Sequence, residues 1–61
     1  MRYIVKARLV VVQPFEEIPV TAALHRFRLP AILNARAMNK MSGDYTIQWY
    51  VLDTHTDKVY V

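Results

Sequence analysis

Apolar and polar residues alternate along the first part of the chain. The segment 2–13, RYIVKARLVVVQ, is rich in β-branched residues, and every second position is apolar. A period of two is typical of a strand with one buried face. The pattern predicts a first strand whose outer face carries Lys6 and Arg8 in its middle. Its core face is expected to hold Tyr3, Val5, Ala7, Leu9 and Val11.

The segment 17–24 is compatible with two structures. As a strand, it needs an edge position, because Pro19 cannot donate a hydrogen bond to a ladder. As a helix beginning near Thr21, it would place Pro30 in the interior of a long helix and kink it. We favour the strand, which leaves Pro30 in the first turn of a shorter helix, where proline is tolerated. The strand would place on one face Ile18, Val20, Ala22 and Leu24.

A helix is predicted over about residues 27–41, where alanine, leucine, methionine, arginine and lysine dominate. Gly43, the only glycine, is placed to end it in the left-handed conformation. A rotation of 100° per residue predicts an apolar stripe that faces the sheet. That stripe is expected to consist of Phe27, Ala31, Ala35, Met38 and Met41. Three aliphatic residues fall outside the stripe, and we expect them to contact another chain: Leu29, Ile32 and Leu33.

The C-terminal third predicts two more strands. Alternation over 44–53, DYTIQWYVLD, indicates a strand, and 58–61, KVYV, indicates a short last one. The intervening Asp- and Thr-rich run is typical of a turn, with Asp57 tolerating the left-handed conformation. The predicted fold is therefore a single α+β domain over 1–61 with ββαββ order. It consists of a four-stranded, mainly antiparallel sheet with one helix on one face.

Size and composition add expectations about association and location. A chain of 61 residues buries a marginal core, yet 54% of its residues are hydrophobic. This excess predicts a homo-oligomer, with a dimer favoured, or an apolar partner surface. The chain has no cysteine, no recognisable signal peptide and no apolar run of about 18 residues, which together predict a cytoplasmic protein without a membrane partner.

No catalytic, cofactor or metal signature is recognisable in the sequence. Asp53, His55 and Asp57 alternate and resemble a metal-binding set, but an Asp- and Thr-rich hairpin turn explains them better. His25 stands at a strand–helix junction, far along the chain from Ser42, the only serine. A single glycine cannot form a phosphate-binding loop. We therefore expect no enzyme, no cofactor and no metal site.

Two kinds of binding remain, and both use the sheet face away from the helix together with residues in or next to the helix. We favour contact with a protein partner, because aliphatic residues and tyrosines together suit an interface core. The predicted partner-binding residues are Ile4, Lys6, Arg8, Leu29, Ile32, Leu33, Arg36, Tyr50, Leu52 and Tyr60. The alternative is nucleic-acid binding, in keeping with a net charge of +3 and with cations beside tyrosines. Its predicted residues are Lys6, Arg8, Arg26, Arg28, Tyr50 and Tyr60.

The C-terminal half also resembles a class of small proteins. The run HRFR leads into an Ala/Asn helix, ILNARAMNKM, and the chain continues to WYVLDTHTDKV. These stretches look like those of small accessory proteins encoded by bacteriophages. The resemblance implies a short, cysteine-poor α+β domain that binds a host protein and inhibits or modulates it, without enzymatic activity. It assigns no site residues.

Overall fold

In the residues described by the computed structural model, 1–43 and 45–61, four strands form one antiparallel sheet and one helix covers one of its faces. The strands lie side by side in the order β2-β1-β3-β4. The predicted α+β fold with ββαββ order is confirmed. The elements, in chain order, are β1 (Tyr3–Leu9), β2 (Glu16–His25), α1 (Arg28–Ser42), β3 (Ile47–Asp53) and β4 (Lys58–Tyr60).

The ambiguous segment 17–24 lies in a strand, and that strand is at the edge of the sheet, as Pro19 requires. The predicted alternation within it is wrong. Ile18 pairs with Ala7 on the helix side, whereas Leu24 pairs with Ile4 on the other side. The register shifts twice in between, as it does at a β-bulge, and the extra residues exchange the two faces.

The helix boundaries follow from local chemistry. Phe27 is extended and precedes the first helical residue, so Pro30 lies in the first turn as predicted. Gly43 ends the helix with a φ of +64°, the left-handed conformation that glycine adopts most easily. Lys40 lies in the last turn, where a cation complements the helix dipole.

The core lies between α1 and the sheet, and it is built largely from small side chains. Its buried members, apart from Tyr3, are valines and alanines, and the alanines let the helix backbone approach the strands closely. The predicted stripe is correct in its centre, Ala31, Ala35 and Met38. It is wrong at its ends, because Phe27 and Met41 are exposed, whereas Ile32 packs against the core. The buried arc is therefore rotated toward Ile32.

Three of the strands, β1, β3 and β4, are shorter than the alternation predicts. β1 ends at Leu9, so Val11 lies outside it and is exposed. β3 begins at Ile47, which leaves Tyr45 outside the sheet and almost fully exposed. Asp44, the first residue of the predicted third strand, lies outside the described residues. β4 has three residues and covers only the C-terminal half of β3.

Candidate protein-binding surface

The sheet face that points away from α1, here called the open face, carries an apolar row. Strand register brings Leu24 of β2 beside Ile4, Ile4 beside Leu52, and Leu52 beside Val59. Each of the four strands thus contributes one aliphatic side chain. Leu24 is 54% exposed and Val59 40% exposed, and the two inner residues are half-buried. We call these four residues the apolar row.

Beside the apolar row, Tyr50 lies under the Arg8 guanidinium and opposite Lys6 in the β1–β3 pairing. It is only 5% exposed. The Arg8 guanidinium carbon lies 4.9 Å from the centroid of the Tyr50 ring and 4.9 Å from that of Phe15. Nε of Arg8 also donates a hydrogen bond of 2.9 Å to Oε1 of Gln48. The guanidinium is thus held between two aromatic rings.

Glu17 closes this cluster from the edge strand. Its Oε1 accepts a hydrogen bond of 2.7 Å from the Tyr50 hydroxyl and forms an ion pair with Nζ of Lys6. The hydrogen bond with Lys6 is the main cause that holds the pKa of Glu17 below its usual value, and the hydrogen bond with Tyr50 is the second. Burial and the bond to Glu17 raise the pKa of Tyr50 to about 12, so the phenol stays protonated at neutral pH.

The structure brings together five of the predicted partner-binding residues and separates the others. The five that share the open face are Ile4, Lys6, Arg8, Tyr50 and Leu52. Tyr60 does not join them, and its predicted position is wrong. It pairs with Val51 and therefore points to the helix side, where Nη1 of Arg28 donates a hydrogen bond of 3.4 Å to its hydroxyl. The register of β4 on β3 decides on which face of the sheet Tyr60 lies, and alternation within KVYV alone cannot reveal that register.

The predicted helix residues lie on the far side of the molecule from the open face. Leu29, Leu33 and Arg36 are exposed on α1, which covers the opposite face of the sheet. Ile32 is partly buried against the core, so its predicted place on the contact surface is wrong. One flat partner surface cannot touch the helix residues and the open face at once.

Of the three residues that resemble a metal-binding set, Asp53, His55 and Asp57, the first is engaged in an ion pair with Arg2. Asp53 is 1% exposed and accepts two hydrogen bonds of 2.9 Å from Arg2, at Nε and Nη2. Arg2, aided by the His55 N–H, holds the pKa of Asp53 well below its usual range. Asp57 has a φ of 59°, which confirms its predicted left-handed conformation in the turn. Among the described residues, no group of three ligands is placed to hold a metal ion.

Asn39 is a structural residue that no pattern in the sequence singles out. Its Nδ2 donates to the Trp49 carbonyl (2.9 Å), and its Oδ1 accepts from the Trp49 N–H (2.7 Å). β4 is too short to pair with this part of β3, so the amide side chain takes the place of a missing strand. Its importance becomes visible only once the length of β4 is known.

Two other observations bear on chemistry. Nε2 of His25 and Oδ1 of Asn34 are buried and have no hydrogen-bond partner within the described part of the chain. A shallow cleft lies beside Asn39 and is also lined by Val10, Tyr45, Ile47 and Gln48. None of these lining residues is an acid or a histidine.

Comparisons with protein-family models, with curated proteins and with solved structures found no match in any of the three. Among residues 1–43 and 45–61, no helix has the length and apolar character needed to cross a membrane.

Proposed function

We propose that this chain is a non-enzymatic binding protein that contacts a protein partner through its open face, with the apolar row at the centre of the contact. The observation that carries the proposal is the row itself. An antiparallel sheet with one solvated face ordinarily presents polar residues there. Here Ile4, Leu24, Leu52 and Val59 form a continuous aliphatic band across four strands, about 14 Å wide at the usual strand spacing.

The cluster beside the row supports a protein partner. Interface cores combine aliphatic and aromatic side chains, and charged groups within them need partners. Lys6 is paired with Glu17, and Arg8 is held by Gln48 and by two rings. The open face therefore offers an apolar band beside cations that are already partly neutralised and fixed in position, so docking costs little side-chain entropy.

The same geometry gives little support to nucleic-acid binding. A ring that stacks on a base must be accessible, and Tyr50 is almost fully covered. Tyr60 points to the other side of the sheet, together with Arg28. The cations of the open face are engaged within the chain rather than free to neutralise phosphates.

The identity of the partner stays a prediction. That it is a host protein, and that binding inhibits or modulates it, rests on the resemblance to phage-encoded accessory proteins alone. The cytoplasmic location and the absence of enzymatic activity likewise stay predictions from the sequence.

The test uses two valines of equal exposure on opposite edge strands. Val59, in the apolar row, is 40% exposed, and Val20, in β2 but outside the row, is 39% exposed. Immobilised wild-type chain is expected to retain a protein from a lysate of its own cell, and Val20→Lys to retain it equally. Val59→Lys is expected to lose most of that binding, because it places a charge within the apolar row, at its β4 end.

Two outcomes would contradict the proposal. Loss of the retained protein with Leu33→Lys but not with Val59→Lys would assign the contact to the helix. Tight binding of single- or double-stranded oligonucleotides that weakens steeply with salt would favour the nucleic-acid alternative. Circular dichroism of each variant confirms that the fold is intact.

A further inference from the structure

One side of the molecule carries no charge along the central part of an edge strand and along the helix flank next to it. β2 is the longest strand and lies at the edge of the sheet, so within residues 1–43 and 45–61 one of its sides has no strand neighbour. From Ile18 to Leu24 it has no charged residue. Edge strands are usually protected from pairing with another chain by charges, by proline or by β-bulges, and this stretch of β2 has Pro19 and two register shifts but no charge.

The flank of α1 that faces β2 is also uncharged. Arg28 and Asn39 contact Tyr60 and Trp49, so their side of the helix faces β4 and the open end of β3. At 100° per residue, the opposite side faces β2. We call it the β2 flank; its residues are Phe27, Pro30, Asn34, Ala37, Met38 and Met41. All the cations of the helix lie elsewhere, although Phe27 is 70% and Met41 85% exposed.

We infer that a second copy of this chain binds along this side, with the two β2 strands antiparallel about a two-fold axis near the middle of β2. The ends of the strand favour this orientation. Glu16 and Glu17 begin β2, whereas His25 ends it and Arg26 follows. An antiparallel pair places the acidic end of each copy beside the basic end of the other, whereas a parallel pair would place like charges together.

The helix flank completes the contact. α1 packs mainly over β3 and β1, so it leaves the helix side of β2 partly uncovered, with half-buried Ile18 at its surface. We call this partly uncovered surface the shelf. Two copies joined at β2 place two shelves side by side, and the exposed side chains of both β2 flanks line the resulting trough. Pro19 and the register shifts interrupt the edge near its middle. The strand pairing is therefore confined to short runs, and the trough supplies the rest of the contact.

A dimer contact of ordinary size would cover a moderate share of the surface of the chain. A stable interface buries about 800 Å² on each partner. The chain exposes 4377 Å² in total, so a dimer needs about a fifth of its surface. The dimer leaves Val59 and most of the apolar row outside the contact, so self-association and the proposed binding of another protein are separate properties.

Sedimentation equilibrium of the full chain tests the inference. We expect the mass to rise with concentration from 7.2 kDa to twice that value. Val20→Lys is expected to weaken the dimer at least tenfold, and Val59→Lys, at the same exposure, to leave it unchanged. Met41→Lys on the β2 flank is expected to weaken it, and Leu33→Lys on the outer side of α1 is not.

A charge exchange tests the orientation. Glu16→Arg and Arg26→Glu are each expected to weaken the dimer several-fold, because each creates like-charge contacts at both ends of a two-fold interface. The double variant is expected to recover most of the loss, which a merely destabilised fold would not do. A monodisperse monomer at millimolar concentration would overturn the inference. So would a dimer that Val59→Lys disrupts and Val20→Lys does not. Loss of partner binding without loss of the dimer, or the reverse, shows which proposal has failed.

Discussion

Replacement of Asn39 with alanine removes both hydrogen bonds that the side chain makes to Trp49. Each contributes about 0.5–1.5 kcal/mol net, so the pair is worth about 1–3 kcal/mol. Because Asn39 is exposed, water replaces part of the loss, and we expect the lower part of this range, about 1–2 kcal/mol. For a domain of this size, such a change lowers the melting temperature by roughly 4–16 °C.

Asn34→Ala is the matched control on the same helix. Both substitutions gain the same helix propensity, at most about 0.7 kcal/mol, so the difference between the two variants isolates the hydrogen bonds. Oδ1 of Asn34 is buried without a partner, and its removal relieves a desolvation cost. We therefore expect Asn34→Ala to be as stable as the wild type or more stable.

Urea unfolding followed by far-ultraviolet circular dichroism measures both variants at one fixed protein concentration. Amide hydrogen exchange supplies a local readout, because the Trp49 N–H loses its acceptor only in Asn39→Ala and is expected to exchange faster there. Equal stability of the two variants, with unchanged exchange at Trp49, would refute the claim that the Asn39 amide replaces a missing strand.

Two further predictions concern pH. The pKa of Asp53 in the folded chain lies below its unfolded value of about 3.9. At a pH between these two pKa values the unfolded chain binds more protons than the folded chain, so stability falls as the pH drops below about 4. Arg2→Met is expected to flatten this acid limb of the urea midpoint measured against pH, and parallel curves for the two proteins would contradict the assignment. Tyr50 is expected to ionise at about 12 in an ultraviolet titration, above the ordinary value for tyrosine. Its raised pKa contributes stability that is present below about pH 10 and lost as the pH rises through 12, and Tyr50→Phe is expected to remove this step.

The order of the elements could be predicted because each boundary depends on local chemistry. Pro30 would lie in the interior of a helix that began within 17–24 and would kink it. In the first turn of α1 a proline is tolerated. Gly43 ends α1 because glycine adopts a positive φ at little cost. Alternation over β1 and β3 identifies their buried faces, since a strand with one side in the core needs apolar residues at every second position.

The candidate surface could be predicted only in part. Lys6, Arg8 and Tyr50 share the open face, because β1 and β3 are regular strands that pair in register. The predicted position of Tyr60 is wrong, because the face on which it lies depends on the register of the three-residue strand β4 with β3. Leu24 and Val59 were missed because a bulge and that same register bring them to the open face.

The type and order of the helix and strands follow from local chemistry, because propensities, caps and periodicity act over a few residues. Which side chains meet depends instead on how the elements pack together. Pairs such as Arg2 with Asp53, Glu17 with Tyr50, and Asn39 with Trp49 join separate elements. Their partners are set by strand register and by the rotation of α1 on the sheet, and these depend on how the whole chain packs its small core.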